Sequence, residues 1–414
     1  MSPTRRSGCL LGAGALSAAL LAVPATLPTA PASAARPPSS GPQSAQVVLD
    51  WERVSFRTVY TDAATPIPVG VPVLGFTSLT MYRAVQRSQR HDHSSEAAAV
   101  VTAAHDVLLH YYPTAATELD ADEASSLAAV PDGDAQDRGV AAGARAAAHL
   151  VASRAGDHYL DPAFHYAKAE APGVWQPTPP ATDMLAPWLG SLRRLVLAQR
   201  LPVDGPDALG SDEYAADYNE VKLYGAATST RRSADETATA IFYNSNSATM
   251  VGDALIRRLE GAPIGLAATS HLFAAVHASM TDAVIRCWEL KRDVGFWRPS
   301  QAIAGATTDH NRATTPEAGW TPLVANPPYS DYVSGHACLT GSAVETIRRT
   351  LGEDTPLELI SANTPTPRQY THLSDIETDA LNARIWSGLH FRDAMTDGYS
   401  VSHRTARRVL RALH

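Results

Sequence analysis

The chain has 414 residues, 45% of them hydrophobic, and a formal net charge of −8 at pH 7, which supplies material for a sizeable core and gives no sign of nucleic-acid binding. Arginine outnumbers lysine 31 to three, the lysines being Lys168, Lys222 and Lys291, so each lysine is an exception to how this chain writes positive charge. Abundant alanine and scarce β-branched alternation predict an all-α fold.

Residues 1–34 read as an export signal. Arg5 and Arg6 open a basic start, CLLGAGALSAALLAV follows as an apolar stretch, and Ala32-Ser33-Ala34 offers small residues for cleavage. The apolar run is short of the roughly 20 residues of a membrane span, and the adjacent arginines suit either general or twin-arginine export. The mature protein is therefore expected to be secreted, with no integral membrane segment. Cleavage removes two arginines and no acids, leaving 32 basic against 42 acidic residues. Residues 35–45 are Pro/Ser-rich and read as a flexible lead-in.

From there, apolar residues at three- and four-residue spacing predict helices over 46–62, 78–88 and 95–112, the last ended by Pro113, then near 114–129 and 135–154. Residues 156–210 are dense in proline, glycine and aromatics and predict a long ordered loop laid across the helices. Helical patterning resumes near Asp212 and runs through 233–244, 247–261 and 268–292; a second irregular stretch, 299–332, precedes final helices at 335–351, 373–389 and 393–412. The whole of 46–414 reads as one all-α domain of two packed helical bundles with long ordered loops, with an N-terminal part at 46–210 and a C-terminal part at 211–414. Cys9 falls in the signal, while Cys287 and Cys338 read either as a disulfide suited to an oxidising compartment or as two buried thiols.

The common metal and nucleotide motifs are missing: there is no His-Glu-x-x-His, no Cys-x-x-Cys, no Gly-x-x-x-x-Gly-Lys-Ser/Thr and no Gly-x-Ser-x-Gly. His91 and His93 in RHDH lack further ligands nearby and read as a polar helix end. Three segments of the last third carry more: KRDVGFWRP, NPPYSDYVSGHACLTGSA and ARIWSGLHFRD. Lys291, Arg298 and Arg384 supply three positive charges. Ser334 and the Gly335 N–H supply neutral donors where an apolar-periodic segment begins, and free N–H groups at a helix N-terminus favour anions. His336 follows those donors and His390 lies six residues beyond Arg384. One imidazole could bond the central atom of a tetrahedral oxyanion while the other moves a proton.

These segments resemble the three-part signature of the vanadium-dependent haloperoxidases and of the acid phosphatases that share their fold, the type 2 phosphatidic acid phosphatase superfamily. Lys291 to Pro299 matches the first part, Lys-x6-Arg-Pro, in full. Val333-Ser334-Gly335-His336 matches Pro-Ser-Gly-His except for its leading proline, and Ala383-Arg384-x5-His390 matches Ser-Arg-x5-His except for its serine. The flanking FWRP, PPYSDYVSGH and RIWSGLHFR, with AHDVLLHYYP and GVWQPTPP upstream, are similar to the bacterial haloperoxidase branch.

The resemblance implies vanadate as cofactor, with phosphate competing for the same site. His390 would bond vanadium, while Lys291, Arg298, Ser334, Gly335 and Arg384 would hold the oxygens. His336 would take a proton from hydrogen peroxide, Lys291 would polarise the bound peroxide, and halide and an organic acceptor would be the further partners. Tyr329, five residues before the motif serine, and Trp297 would line the substrate pocket. Two alternatives use the same residues: a secreted phosphatase with His390 as nucleophile and His336 as acid, and a non-catalytic oxyanion-binding protein. The family often places an aspartate four residues after the metal-bonding histidine, where this chain has Ala394. Asp393, Asp397 and a backbone carbonyl are the candidates for orienting His390.

Overall fold

Helix signals in the sequence become helices in the structure, a computed structural model that describes residues 44–90 and 93–414. The export-signal segment 1–34, most of the lead-in and His91 lie outside the described residues. The first bundle contains α1 (Gln46–Phe56), α2 (Ile67–Gln89), α3 (Glu96–Tyr111), α4 (Ala116–Ala128) and α5 (Asp134–Ser153). After the long loop come α6 (Asp212–Gly225), α7 (Ala234–Phe242), α8 (Ser247–Leu259), α9 (Leu266–Asp293), α10 (Pro299–Gly305), α11 (Gly335–Leu351), α12 (Leu373–Trp386) and α13 (Arg392–Leu413). Side-chain caps begin several of them: Ser95 Oγ accepts from the Ala98 N–H, Ser233 and Glu236 form a reciprocal capping box, and Asn246 Oδ1 accepts from Ala248 and Thr249.

The two longest buried helices, α2 and α9, lie against each other. The helices α1, α3 and α5 gather on α2, and α11 and α13 pack on α9. Both central helices are buried around most of their circumference, which explains why their sequences are apolar on all sides and not on one stripe. Among the described residues no helix is long and apolar enough to cross a membrane.

Three local departures from the periodic reading have physical causes. Helix α2 starts eleven residues before Ser78, at Ile67, and contains Pro68 and Pro72; Pro68 falls in the first turn, where a missing N–H costs little, while Pro72 lies inside the helix and forgoes one i→i−4 bond. The helix expected to run to Asp62 stays α-helical only to Phe56 and widens into a π-helical segment, Arg57–Asp62, where the Ala63 N–H donates to Thr58 O at 3.1 Å. A short helix, α10, and a small hairpin of β1 (Leu357–Leu359) with β2 (Arg368–Tyr370), Leu357 opposite Tyr370, occupy stretches whose brevity leaves no period to read. His93 lies exposed just past α2.

The 156–210 loop fastens the elements that carry the site. The Trp175 N–H donates to Gly295 O at 2.8 Å and the Trp297 N–H to Gly173 O at 2.9 Å, pairing the loop with the strand-like turn after α9. Further along, the Asp282 carboxylate of α9 accepts from the Leu195, Val196 and Leu197 N–H groups. Gly190 comes so close to α9 that a Cβ there would lie 2.5 Å from the Glu289 backbone nitrogen. Gly190→Ala is therefore expected to push loop and helix apart and destabilise the protein by about 1–3 kcal/mol, read as a lower urea midpoint with an unchanged m-value.

Candidate functional site

Lys291, at the end of α9, is wholly buried. Its Nζ donates to Ser330 O at 2.8 Å and to Asp331 O at 2.9 Å, while the Ser330 hydroxyl returns a bond to Lys291 O. An ammonium has three N–H groups, so one is left for another acceptor. Burial pushes its pKa down to about 8, the neighbouring Cys287 thiol opposes that shift, and Arg298 adds to it.

Arg298 caps α10 just ahead of Pro299 and is 1% exposed. Its Nε donates to Tyr329 O at 2.9 Å and its Nη1 to Leu389 O at 2.7 Å, with Nη1 also 3.3 Å from His390 Nε2. The Tyr329 ring faces both cations, 5.0 Å from Lys291 Nζ and 5.0 Å from the Arg298 guanidinium carbon. Arg384, near the end of α12, is 2% exposed, and burial pushes its pKa down to about 10.

Ser334 is the N-cap of α11, its Oγ accepting from the Ala337 N–H at 3.5 Å, and its own N–H ties that end to Ala394 O of α13 at 2.8 Å. Gly335 leaves room at the helix start, where a Cβ would come within 3.3 Å of the Trp288 ring. His336 follows. Burial, and after it Arg384, holds its imidazole well below the usual histidine range. His390 is held low by burial and then by Arg298, Lys291, Arg384 and His336. Both imidazoles are neutral at neutral pH.

The structure thus brings together Lys291, Arg298, Ser334, Gly335, His336, Arg384 and His390, as well as Tyr329. Around this point, buried nitrogens lack partners: Arg298 Nη2, Arg384 Nε and Nη1, and His336 Nε2. An unpaired buried donor costs about 1–3 kcal/mol, and more when it carries charge. Several such nitrogens around His390 are the complement of an anion with several acceptor oxygens. No group of three or more His, Cys, Asp or Glu side chains among the described residues is arranged to hold a metal cation. The donor set therefore fits vanadate or phosphate: three cations and a helix N-terminus for the oxygens, and an imidazole for the central atom.

His336, Arg384, Tyr329 and Leu389 open onto a cavity of about 790 Å³, whose other walls come from Phe56 and Tyr60 near the π-helical segment and from Asn244–Asn246. Trp297, expected to line this pocket, faces elsewhere, lining a groove of about 550 Å³ with Gln176 and Gln301. Phe296 bridges to Val174, the Arg298 backbone is extended, and neighbours along an extended chain point to opposite sides; aiming Arg298 inward turns Trp297 out.

The carboxylate beside His390 is one the sequence reading does not consider. Nδ1 lies 2.7 Å from Asp331 Oδ1, a close polar contact bent away from a linear hydrogen bond. Asp331 is wholly buried, and burial pushes its pKa up to about 8 against the pull of Arg298 and Lys291. The two aspartates proposed from sequence are engaged elsewhere. The Asp393 N–H donates to Asp217 and its carboxylate accepts from the Asp207 N–H, while Asp397 accepts from the Tyr332 hydroxyl. Cys287 and Cys338 are both free buried thiols, Cys287 Sγ donating to Val333 O at 3.2 Å.

Residues 271–414 match the family model of the VCPO second helical-bundle domain. Vanadium chloroperoxidase from Curvularia inaequalis is 25% identical over 208 residues, which are 42% of this chain and 34% of that protein; the match spans about a third of the relative's length. The fold is shared with the first bacterial vanadium-dependent iodoperoxidase, at a TM-score of 0.74 and 18% identity over 89% of this chain and 97% of that one. A bacterial vanadium-dependent chloroperoxidase in its holo form gives a TM-score of 0.63 at 14% identity, covering 83% and 93% of the two chains.

Lys291 is charged below about pH 8 and loses its proton as pH rises through that value. Binding of sulfate, a tetrahedral anion of constant charge over this range, is expected to weaken across that interval in calorimetric titrations and to weaken less in Lys291→Arg, whose guanidinium stays charged while Asp331 still gains negative charge near pH 8. Residues 271–414 thus match a VCPO second helical-bundle domain, and the fold is the one seen in the bacterial vanadium-dependent iodoperoxidase and chloroperoxidase structures.

Proposed function

We propose that this protein is a vanadium-dependent haloperoxidase that oxidises a halide with hydrogen peroxide and passes the oxidised halogen to an organic acceptor. The observation that carries the reading is the set of buried nitrogens without partners, Arg298 Nη2, Arg384 Nε and Nη1 and His336 Nε2, of which Arg384 and His336 line the cavity. Lys291, Arg298, Arg384, Ser334 and the Gly335 N–H would hold the oxygens of vanadate, and His390 Nε2 would bond the metal. Bound vanadate supplies Lewis-acid activation of peroxide without a change in its oxidation state.

The chain's own residues do the rest. His336, neutral and with Nε2 unpaired, takes a proton from incoming hydrogen peroxide as general base. Lys291 turns its third N–H to an oxygen of the bound group, its other two being fixed on Ser330 O and Asp331 O. Peroxide, halide and acceptor reach the site through the cavity of about 790 Å³. The N-terminal signal pattern, a basic start, an apolar stretch and Ala32-Ser33-Ala34, supports a secreted enzyme.

A second reading has its own support. A carboxylate beside His390 Nδ1 is also how a nucleophilic imidazole is oriented, so phosphomonoester hydrolysis through His390, with His336 protonating the leaving group, uses the same geometry. Bromination of a phenol-type indicator by peroxide and bromide, with and without added orthovanadate, separates the two. Vanadate-dependent bromination competed by phosphate is expected. Cleavage of p-nitrophenyl phosphate that is lost in His390→Ala, with no bromination, would establish the phosphatase instead. Neither activity in the wild type would leave oxyanion binding alone. In Lys291→Arg, vanadate binding is expected to persist while halide oxidation falls by at least about tenfold, because a planar fork cannot replace one N–H aimed at one oxygen.

A further inference from the structure

We propose that Asp331 is the positioning residue of His390, doing from the segment ahead of α11 what an aspartate four residues after the histidine would otherwise do. The inference rests on the vanadate reading above. Ala394 occupies the usual position and cannot orient an imidazole. Asp393 and Asp397 are committed to Asp207, Asp217 and Tyr332. Asp331 Oδ1 is 2.7 Å from His390 Nδ1, and both residues are at most 1% exposed.

The tautomer follows from the contacts. A neutral imidazole has one N–H and one lone pair. The Arg298 Nη1 donor lies 3.3 Å from Nε2, which places the lone pair there and the ring's N–H at Nδ1, the nitrogen that faces Asp331 Oδ1. Nε2 is then the nitrogen able to bond a metal, and its ring plane is set by Asp331. Ligating histidines commonly depend on such a partner, whose loss lowers metal affinity roughly 10- to 100-fold.

Asp331 touches the site twice, by separable means. Its backbone carbonyl accepts from Lys291 Nζ at 2.9 Å, and only its side chain meets His390. Replacing the side chain leaves the lysine contact and the other oxygen-binding groups in place. The effect should therefore fall on a ligand that bonds His390 and spare one that is only held by charge and hydrogen bonds.

Orthovanadate and orthophosphate affinities measured by calorimetry test this. In Asp331→Ala, vanadate affinity is expected to fall roughly 10- to 100-fold while phosphate affinity stays within about twofold. Asp331→Asn, which preserves shape and decides the matter should the alanine variant fail to fold, should show the same selective loss to a smaller degree. Asp393→Asn should change neither affinity. Nitrogen-15 spectra of the unliganded wild type should show His390 protonated at Nδ1. Unchanged vanadate affinity in Asp331→Ala, or vanadate and phosphate affinities falling in step in the folded variants, overturns the positioning role while leaving the cofactor assignment standing. A wild type that binds phosphate but no vanadate overturns the cofactor reading, and this inference with it.

Discussion

Burying three cations in one pocket is the constraint on which the rest of this structure depends. Lys291, Arg298 and Arg384 are each at most 2% exposed, and removing a charge from water costs several kcal/mol per ion even after relaxation. Among the described residues, the acidic side chain that acts on Lys291 and Arg298 is Asp331. The remaining compensation comes from backbone carbonyls: Ser330 and Asp331 for the lysine, Tyr329 and Leu389 for Arg298. Carbonyl dipoles compensate without neutralising, so the pocket keeps a net demand for negative charge. That demand requires rigid backbone, because a carbonyl that drifts leaves a buried cation unpaired. The 156–210 loop fits this need. It adds hydrogen bonds to the turn bearing Arg298, to Pro328 beside Tyr329 and to the middle of α9.

The same charges prepare the histidines. Burial is the first cause of the depressed pKa of both His336 and His390, and the surrounding cations deepen it. A protonated imidazole would be useless as a metal ligand or as a base, so the cluster that attracts the oxyanion also keeps both rings in the form the chemistry needs. Asp331 stands against Nδ1 of His390, away from the side where Arg298 meets Nε2.

How much of this was legible in the sequence depended on whether a residue's role is carried by its own side chain. Lys291, Arg298, Arg384, His336 and His390 stood out because charge and imidazole at fixed spacing are uncommon and chemically specific. The helices of 95–112, 335–351 and 393–412 were legible from period and caps. Tyr329, Ser330 and Leu389 act through carbonyls, which every residue possesses, so nothing in their identity marked them. Asp331 left a faint mark, as the only acid in residues 326–343, but its partner lies 59 positions away and no local pattern links them. Trp297 was placed on the wrong side because its direction is set by the pairing of 295–297 with the distant loop.

Compensation of charge also changes along the approach to the site. At the outer wall of the cavity stand Arg53 and Arg57, and each is already paired, Arg53 with Asp50 and Glu260, Arg57 with Asp62 and Asp122. At the inner end Arg384 presents unpartnered nitrogens, with Arg298 and Lys291 beyond it. An anion entering therefore meets neutralised guanidinium groups first and uncompensated ones last, so the favourable potential deepens inward, where low-dielectric walls screen it least. An overall negative chain can draw small anions on these terms, because what acts on them is the local order of paired and unpaired cations and not the net charge of −8.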